Sequence, residues 1–267
     1  MKRFVTLVSA CGLMAAVVLL SGCATTPVGA APMKTGVKRV ASIAEVKADR
    51  VDLCKIVFAH PPAEVAVALK FAGLRNVSCY LKTIGGKPCL YAYYEYSGRR
   101  YEADMARLEA NPAVRVWRQV GTECLVGKPT GLMGTEIEEV FFTDGAAELV
   151  PTPAKYARIA MVTGLKPEKE AEYRTLHATT WPGVLKGIKD VNLRDFSIGL
   201  SEFGGKLYLF GYLEYVGADS AADDAAGKAL PINKRWWKFT DACQNPLPEA
   251  AAKGGIWAGL DELYHQD

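Results

Sequence analysis

The chain has 267 residues, half of them apolar and 23% charged, which is the composition of a globular protein with material for one or two cores. Its 32 basic and 29 acidic residues leave a formal net charge of +3. This near balance argues against a nucleic-acid partner, because nucleic-acid binding requires a concentrated basic face.

The N-terminus has the pattern of an export signal over residues 1–22. A basic pair at residues 2–3 precedes an apolar stretch over residues 4–20. The Leu-Ser-Gly-Cys ending at residues 20–23 resembles the lipobox of bacterial lipoproteins, which implies cleavage before Cys23 and lipidation of that residue. A plain transmembrane anchor is the alternative, since the apolar stretch is nearly long enough to span a bilayer.

The residues after Cys23 predict where the mature protein is held. Ala24 follows the cysteine, which resembles sorting to the outer membrane in Gram-negative lipoproteins. We therefore expect an exported protein, lipid-anchored at the periplasmic or cell-surface face of the outer membrane. Residues 23–49 are rich in Ala, Thr, Pro, Val and Lys and are predicted to be a tether.

Five further cysteines remain after the lipidated one. They are Cys54, Cys79, Cys89, Cys124 and Cys243. Export permits disulfides, but an odd number leaves at least one thiol unpaired within the chain. Because these cysteines have neither paired spacing nor neighbouring histidines, we predict small core residues and no metal site.

An internal repeat is the strongest organising feature of the chain. Residues 74–124 align with residues 193–243 at a constant shift of 119 positions, with 19 identities over 51 positions and no gap. The alignment predicts a duplicated module. We place the first module at residues 50–144, a linker at residues 145–155, and the second module at residues 156–267.

Each copy contains strand and helix patterns in the same order. In the first copy, strands are predicted at residues 55–59, 77–82, 89–96 and 137–142, with a helix at 103–108. In the second, strands are predicted at residues 157–163, 196–200, 208–215 and 256–264, with a helix at 234–242. With a helix after the first strand, the order is that of a split-βαβ, ferredoxin-like module. The predicted fold class is α+β, with two such modules packed sheet to sheet as an intrachain pseudo-dimer of the dimeric α/β-barrel type.

The copies differ most after the opening strand. The second copy has room for a full helix there, whereas the first is predicted to keep only a short stub. Tyr173, His177 and Trp181 in that helix are spaced four residues apart, so they are predicted to share one helix face. A plain amphipathic face is the alternative.

A second aromatic cluster, Arg-Trp-Trp-Lys, occupies residues 235–238. Trp236 matches Trp117 of the first copy and is the better candidate for a structural role. Trp237 and Lys238 occur only in the second copy and are the better candidates for a binding site. Aromatic faces suit the C–H faces of sugar rings.

Together, the Tyr-x-x-x-His-x-x-x-Trp-Pro motif and the Arg-Trp-Trp-Lys cluster resemble the L-rhamnose mutarotase family. The resemblance covers residue 157 to the C-terminus, and the first copy is a weaker relative. It implies a cofactor-independent isomerase of carbohydrate metabolism that interconverts the α and β anomers of a monosaccharide such as L-rhamnose. It also implies roles for individual residues: His177 and Tyr173 as acid/base pair, and Trp181, Trp237 and Lys238 as residues that line the sugar pocket. Trp236, beside Trp237, and Tyr212, on the third strand of the module, are added as substrate-binding residues. Ala178 and Gly183 depart from the family, which often has Asn and Glu at these positions.

Two other functions fit the same residues. The first is a non-catalytic carbohydrate-binding lipoprotein that uses the same pocket, which export favours. The second is haem binding with His177 as the iron ligand, as in other face-to-face ferredoxin-like proteins. The chain has no phosphate-binding glycine loop, dinucleotide fingerprint or serine-nucleophile motif.

Overall fold

The computed structural model describes residues 37–145 and 156–267. The predicted export signal, Cys23, most of the predicted tether and residues 146–155 of the predicted linker lie outside the described residues. Within the two described ranges, no helix is long and apolar enough to cross a membrane.

The first module begins with a strand, two helices and a hairpin. Its elements in chain order are β1 (Lys38–Glu45), α1 (Val51–Ala59), α2 (Ala63–Phe71), β2 (Leu74–Ile84), β3 (Lys87–Tyr96), α3 (Tyr101–Ala110), α4 (Pro112–Glu123), β4 (Thr135–Glu136) and β5 (Glu138–Gly145). Gly85 and Gly86 turn the hairpin with positive φ angles of 57° and 82°, a conformation that glycine adopts without steric cost.

The second module repeats this order. Its elements are β6 (Ala157–Leu165), α5 (Glu170–Ala178), α6 (Pro182–Asp190), β7 (Leu193–Phe203), β8 (Lys206–Tyr215), α7 (Ser220–Ala229), α8 (Pro231–Cys243), β9 (Gln244–Asn245), α9 (Pro248–Ala251), β10 (Ala258–Gly259) and β11 (Asp261–Gln266). Matching elements begin 119 positions apart from β1 and β6 through α4 and α8. The duplication therefore extends well upstream of the aligned residues 74–124.

Three predictions for the start of the first module are wrong. Strand β1 lies inside the predicted tether, residues 23–49. Residues 55–59, predicted as a strand, belong to helix α1, which buries Cys54, Val57 and Phe58. These positions are spaced i, i+3 and i+4, the pattern of one helix face. The predicted stub is in fact a pair of helices, α1 and α2, matching α5 and α6.

The two modules exchange their last strands. The first sheet has the order β11-β2-β3-β1-β4, and the second has the order β10-β6-β8-β7-β5. Strand β5, the last element of the first module, pairs antiparallel with β7 of the second, and β11 pairs with β2 of the first. Each sheet therefore needs a strand from the other half of the chain.

The two sheets pack against each other through an aromatic layer. Tyr93 stacks on Tyr212 with ring centroids 4.0 Å apart, and Tyr91 stacks on Phe210 at 5.5 Å. These rings belong to one buried cluster that draws residues from both modules. The helices cover the outer faces of the sheets, where each module has a further apolar cluster. The predicted pair of modules packed sheet to sheet is confirmed.

A buried polar network also crosses this interface. The Glu214 carboxylate accepts hydrogen bonds from Arg194 Nε at 2.5 Å and from Asn76 Nδ2 of the other module at 2.9 Å. The Tyr212 hydroxyl donates to Asn76 Oδ1 at 2.7 Å. Burial raises the pKa of Glu214, and the Arg194 charge opposes the rise. Side chains that hold each other in this way fix the relative position of the sheets.

Candidate active site

A cavity of about 550 Å³ lies between the second sheet and the helices that cover it. Its floor includes Ile198 of β7 and Leu213 of β8, and its roof includes Tyr173 of α5, Gly187 of α6 and Trp236 of α8. The lining is mostly apolar with a few polar groups, which is the usual character of a small-molecule site.

The exchanged strand β5 completes this cavity. Phe141 of β5 lines it and packs edge-on against His177, with ring centroids 5.4 Å apart. The first half of the chain thus contributes a wall to the site of the second half.

Tyr173 and His177 lie one turn apart on α5, and both are buried. Their rings stack with centroids 4.0 Å apart. His177 Nδ1 lies 3.0 Å from the Tyr173 carbonyl oxygen, which can only accept a hydrogen bond. Nδ1 therefore carries the proton in the neutral ring, which leaves Nε2 with the free lone pair.

Burial keeps both side chains uncharged at neutral pH. It lowers the pKa of His177 to about 4, and the hydrogen bond to the Tyr173 carbonyl only partly opposes this. It also raises the pKa of Tyr173 well above its ordinary value. The site therefore places a proton-accepting imidazole beside a proton-donating phenol.

The Tyr173 hydroxyl has no well-formed hydrogen bond among the described residues. The side chain of Gln244, which also lines the cavity, opposes the rise in the Tyr173 pKa. A buried hydroxyl without a partner is costly, so this group is available to a ligand.

The structure brings four of the predicted site residues together. Tyr173, His177, Trp236 and Trp237 all line the cavity. Trp236 is buried and packs edge-on against His177 at 5.5 Å, whereas Trp237 is 37% exposed. Trp236 therefore contacts the predicted acid/base pair as well as supporting the fold.

Three predicted substrate-binding residues lie outside the cavity lining. Helix α5 ends at Ala178, so Trp181 precedes the next helix and packs on Trp236 with centroids 5.2 Å apart. Lys238 lies on the exposed side of α8. Tyr212 points to the opposite face of the second sheet, into the interface between modules. The prediction that Trp181, Lys238 and Tyr212 line the pocket is therefore corrected.

Several cavity residues were not predicted from the sequence. On α8 and just after it, Asn233, Thr240, Asp241 and Gln244 line the cavity with the two tryptophans. Their spacing follows the helical period, so the position of Trp236 could have identified them. Burial raises the pKa of the Asp241 carboxyl.

The first module has no equivalent set of polar groups. At the shift of 119 positions, Cys54, Phe58, Val114 and Leu125 stand where the second module has Tyr173, His177, Asn233 and Gln244. All four are buried in the core of the first module. The Phe58 ring packs on Trp117 at 5.6 Å and lies over Gly121, where a Cβ would be 3.0 Å from the ring. Phe58 thus occupies the place of the imidazole.

We expect Phe58→Ala to destabilise the protein by about 3–5 kcal/mol, because it removes a buried ring that the core cannot replace. Denaturant unfolding measures the loss, with Phe71→Ala as the matched control because Phe71 is 85% exposed. Equal unfolding free energies for the two variants would mean that the Phe58 ring does not fill a space in the core of the first module.

The comparisons with known proteins agree with this division into two modules. The model of the L-rhamnose mutarotase family matches the chain twice, over residues 39–143 and 158–266. An L-rhamnose mutarotase from Phocaeicola vulgatus is 29% identical over 103 residues, which are 39% of this chain and 91% of that protein. An L-rhamnose mutarotase from Oceanobacillus iheyensis is 26% identical over 110 residues, which are 41% of this chain and 98% of that protein. Among solved structures, a protein of Fusobacterium nucleatum assigned as a monooxygenase has a TM-score of 0.50 at 16% identity, covering 88% of this chain and 96% of that one. That likeness concerns the fold alone.

Proposed function

The chain belongs to the L-rhamnose mutarotase family, and we propose that its second module interconverts the α and β anomers of a monosaccharide such as L-rhamnose. One observation carries the proposal: a neutral imidazole and a phenol with no well-formed hydrogen bond stand side by side in a cavity of the second module. The first module has apolar core side chains at the matching positions. The first module serves as scaffold and supplies strand β5.

Ring opening requires two proton transfers, and the pair has a group for each. His177 Nε2 takes the proton from the anomeric hydroxyl, while the Tyr173 hydroxyl donates to the ring oxygen as the bond between the anomeric carbon and that oxygen breaks. The open aldehyde turns about its bond to the neighbouring carbon, and the reverse transfers close the ring on its other face. Both protons return, so the cycle consumes no redox equivalent.

The transient charges explain why the two rings stack. Proton transfer makes the imidazole positive and the phenol oxygen negative, and each charge alone would be costly in an apolar site. The contact between the rings, at a centroid separation of 4.0 Å, lets the opposite charges stabilise each other. The aromatic walls, including Trp236 and Trp237, offer faces for the C–H groups of the sugar.

Two measurements on the same sample test this proposal. Polarimetry follows the change in optical rotation of freshly dissolved crystalline L-rhamnose, and tryptophan fluorescence reports binding, because Trp236, Trp237 and Trp257 line the cavity. We expect the protein to speed the approach to the equilibrium rotation. Saturable binding of sugars without any acceleration would instead support the non-catalytic binding protein.

The pH dependence of exchange follows from the low pKa of His177. Since the unprotonated imidazole is the reacting form and its pKa is about 4, kcat/KM should stay level from pH 8 to about pH 5 and fall only below that. An unperturbed histidine would lose activity near pH 6.5. Exchange rates with the spontaneous rate subtracted at each pH measure this, and a midpoint near 6.5 would contradict the buried, neutral imidazole.

A further inference from the structure

Asn233 places an unused hydrogen-bond acceptor at the cavity. The side chain is buried, with 8% of the residue exposed, and it lines the cavity beside Gly187 and Gly227. Its Nδ2 donates to the Gly227 carbonyl at 3.0 Å. Because a carbonyl can only accept, this contact fixes which way the amide is turned. The amide oxygen, Oδ1, is then left with no partner among the described residues.

Gly187 leaves room beside this oxygen. A Cβ at Gly187 would lie 3.0 Å from Asn233 Oδ1, so only glycine leaves the oxygen uncrowded on that side. In the first module the matching positions are Ala68, Leu108 and Val114, all packed in or against the apolar core of that module. The second module therefore has a polar group and open space where the first has hydrocarbon.

The position of Asn233 relates this acceptor to the reacting groups. Asn233 precedes Trp236 by three residues on α8, which is about 5 Å along the helix axis. The Trp236 ring in turn contacts the His177 ring at 5.5 Å. Asn233 and His177 are thus linked through the Trp236 ring, and both line the same cavity.

We propose that Asn233 is a specificity-determining residue whose Oδ1 accepts a hydrogen bond from a substrate hydroxyl remote from the anomeric carbon. This inference rests on the proposed function, because that function is what identifies the ligand as a sugar. A buried acceptor left unpaired is costly, so a sugar that lacks the hydroxyl leaves that cost unrelieved and binds more weakly.

The test uses L-rhamnose and its 2-, 3- and 4-deoxy derivatives, with anomer exchange and tryptophan fluorescence as readouts. We expect the wild type to discriminate against one derivative by roughly 5- to 150-fold in KM, and Asn233→Val, the residue of the first module, to lose that discrimination. The kcat for L-rhamnose should change little, because Asn233 does not touch the proton-transfer atoms. Lys234→Ala, an exposed neighbour on α8, is the control and should retain the discrimination.

A second variant covers the case in which Asn233→Val does not fold. Gly187→Ala keeps the amide but crowds Oδ1, and alanine is favoured over glycine inside a helix. It should reduce the same discrimination. Exchange by the wild type with no preference among the four sugars, or a preference that survives both variants, would overturn the role of Asn233 while leaving the mutarotase proposal intact. Asn233-dependent discrimination in binding without exchange would support the subsite and refute the mutarotase.

Discussion

Replacing His177 by alanine is expected to slow protein-catalysed anomer exchange by about 10²–10⁴-fold, the usual contribution of one acid/base group. The imidazole is the group with a free nitrogen lone pair beside the unpartnered Tyr173 hydroxyl. Sugar binding should weaken far less than exchange, because the aromatic walls remain. Polarimetry on L-rhamnose gives the rate, and fluorescence titration gives the affinity.

The control for this variant is His60→Ala. His60 is exposed and follows helix α1 of the first module, so its removal should leave exchange unchanged. If His177→Ala kept the wild-type rate while His60→Ala lost it, the reaction would have to be assigned to the first module. Wild-type rates in both variants would remove His177 from the mechanism.

Arg194→Ala is expected to destabilise the protein by about 3–5 kcal/mol, because it leaves the buried Glu214 carboxylate without its charged partner. The side chains of Arg194 and Glu214 are 8% and 3% exposed, so water cannot readily replace the guanidinium. Denaturant unfolding at pH 7 measures the loss. The deficit should shrink as the pH falls, since protonation of Glu214, whose folded-state pKa is raised, removes the uncompensated charge.

The related pair in the first module provides a matched control. Arg75 Nε lies 3.0 Å from Glu95, but the Arg75 side chain is 43% exposed. Water can reach the space that Arg75→Ala vacates, so the loss should be clearly smaller. Equal losses for the two variants, or no loss in Arg194→Ala, would show that Glu214 does not depend on a buried charge partner.

Part of the fold could be predicted because identity between the copies is concentrated in the hairpin and the helices after it. The repeat at a shift of 119 positions can be recognised in the sequence from residue 74 onward, but not over residues 38–73. Strand β1 lies in a stretch whose composition resembles a tether. Helix α1 lacks the residues that make the matching helix α5 recognisable in the sequence. Cys54 and Phe58 stand at the positions of Tyr173 and His177. The two copies differ most at the site itself, and for that reason helices α1 and α2 could not be recognised from the sequence.

The strand exchange could not be predicted from local patterns. A strand such as β5 has the same alternation of side chains whichever sheet it joins, and its partner β7 is about fifty residues away along the chain. Only packing of the whole chain decides the pairing. The contribution of Phe141 to the cavity follows from that exchange and was missed for the same reason.

Within the site, helical spacing was a better guide than strand membership. Tyr173 and His177 share one face of α5 as their spacing predicts. Trp181 does not, because Pro182 occupies the first position of a new helix, where proline is favoured. Tyr212 was assigned to the pocket from its strand alone. Side chains alternate along β8, so its neighbour Leu213 faces the cavity and Tyr212 faces the other module.

NMR saturation transfer tests most directly whether the second module catalyses anomer exchange, as we propose. Saturating the α anomeric proton of L-rhamnose at equilibrium reports how fast α and β forms interconvert, with no need for a net reaction. We expect a loss of β signal that grows with the concentration of wild-type protein and is absent with His177→Ala. The proposal would be contradicted if the β signal did not change at high concentrations of wild-type protein while fluorescence showed that the sugar was bound.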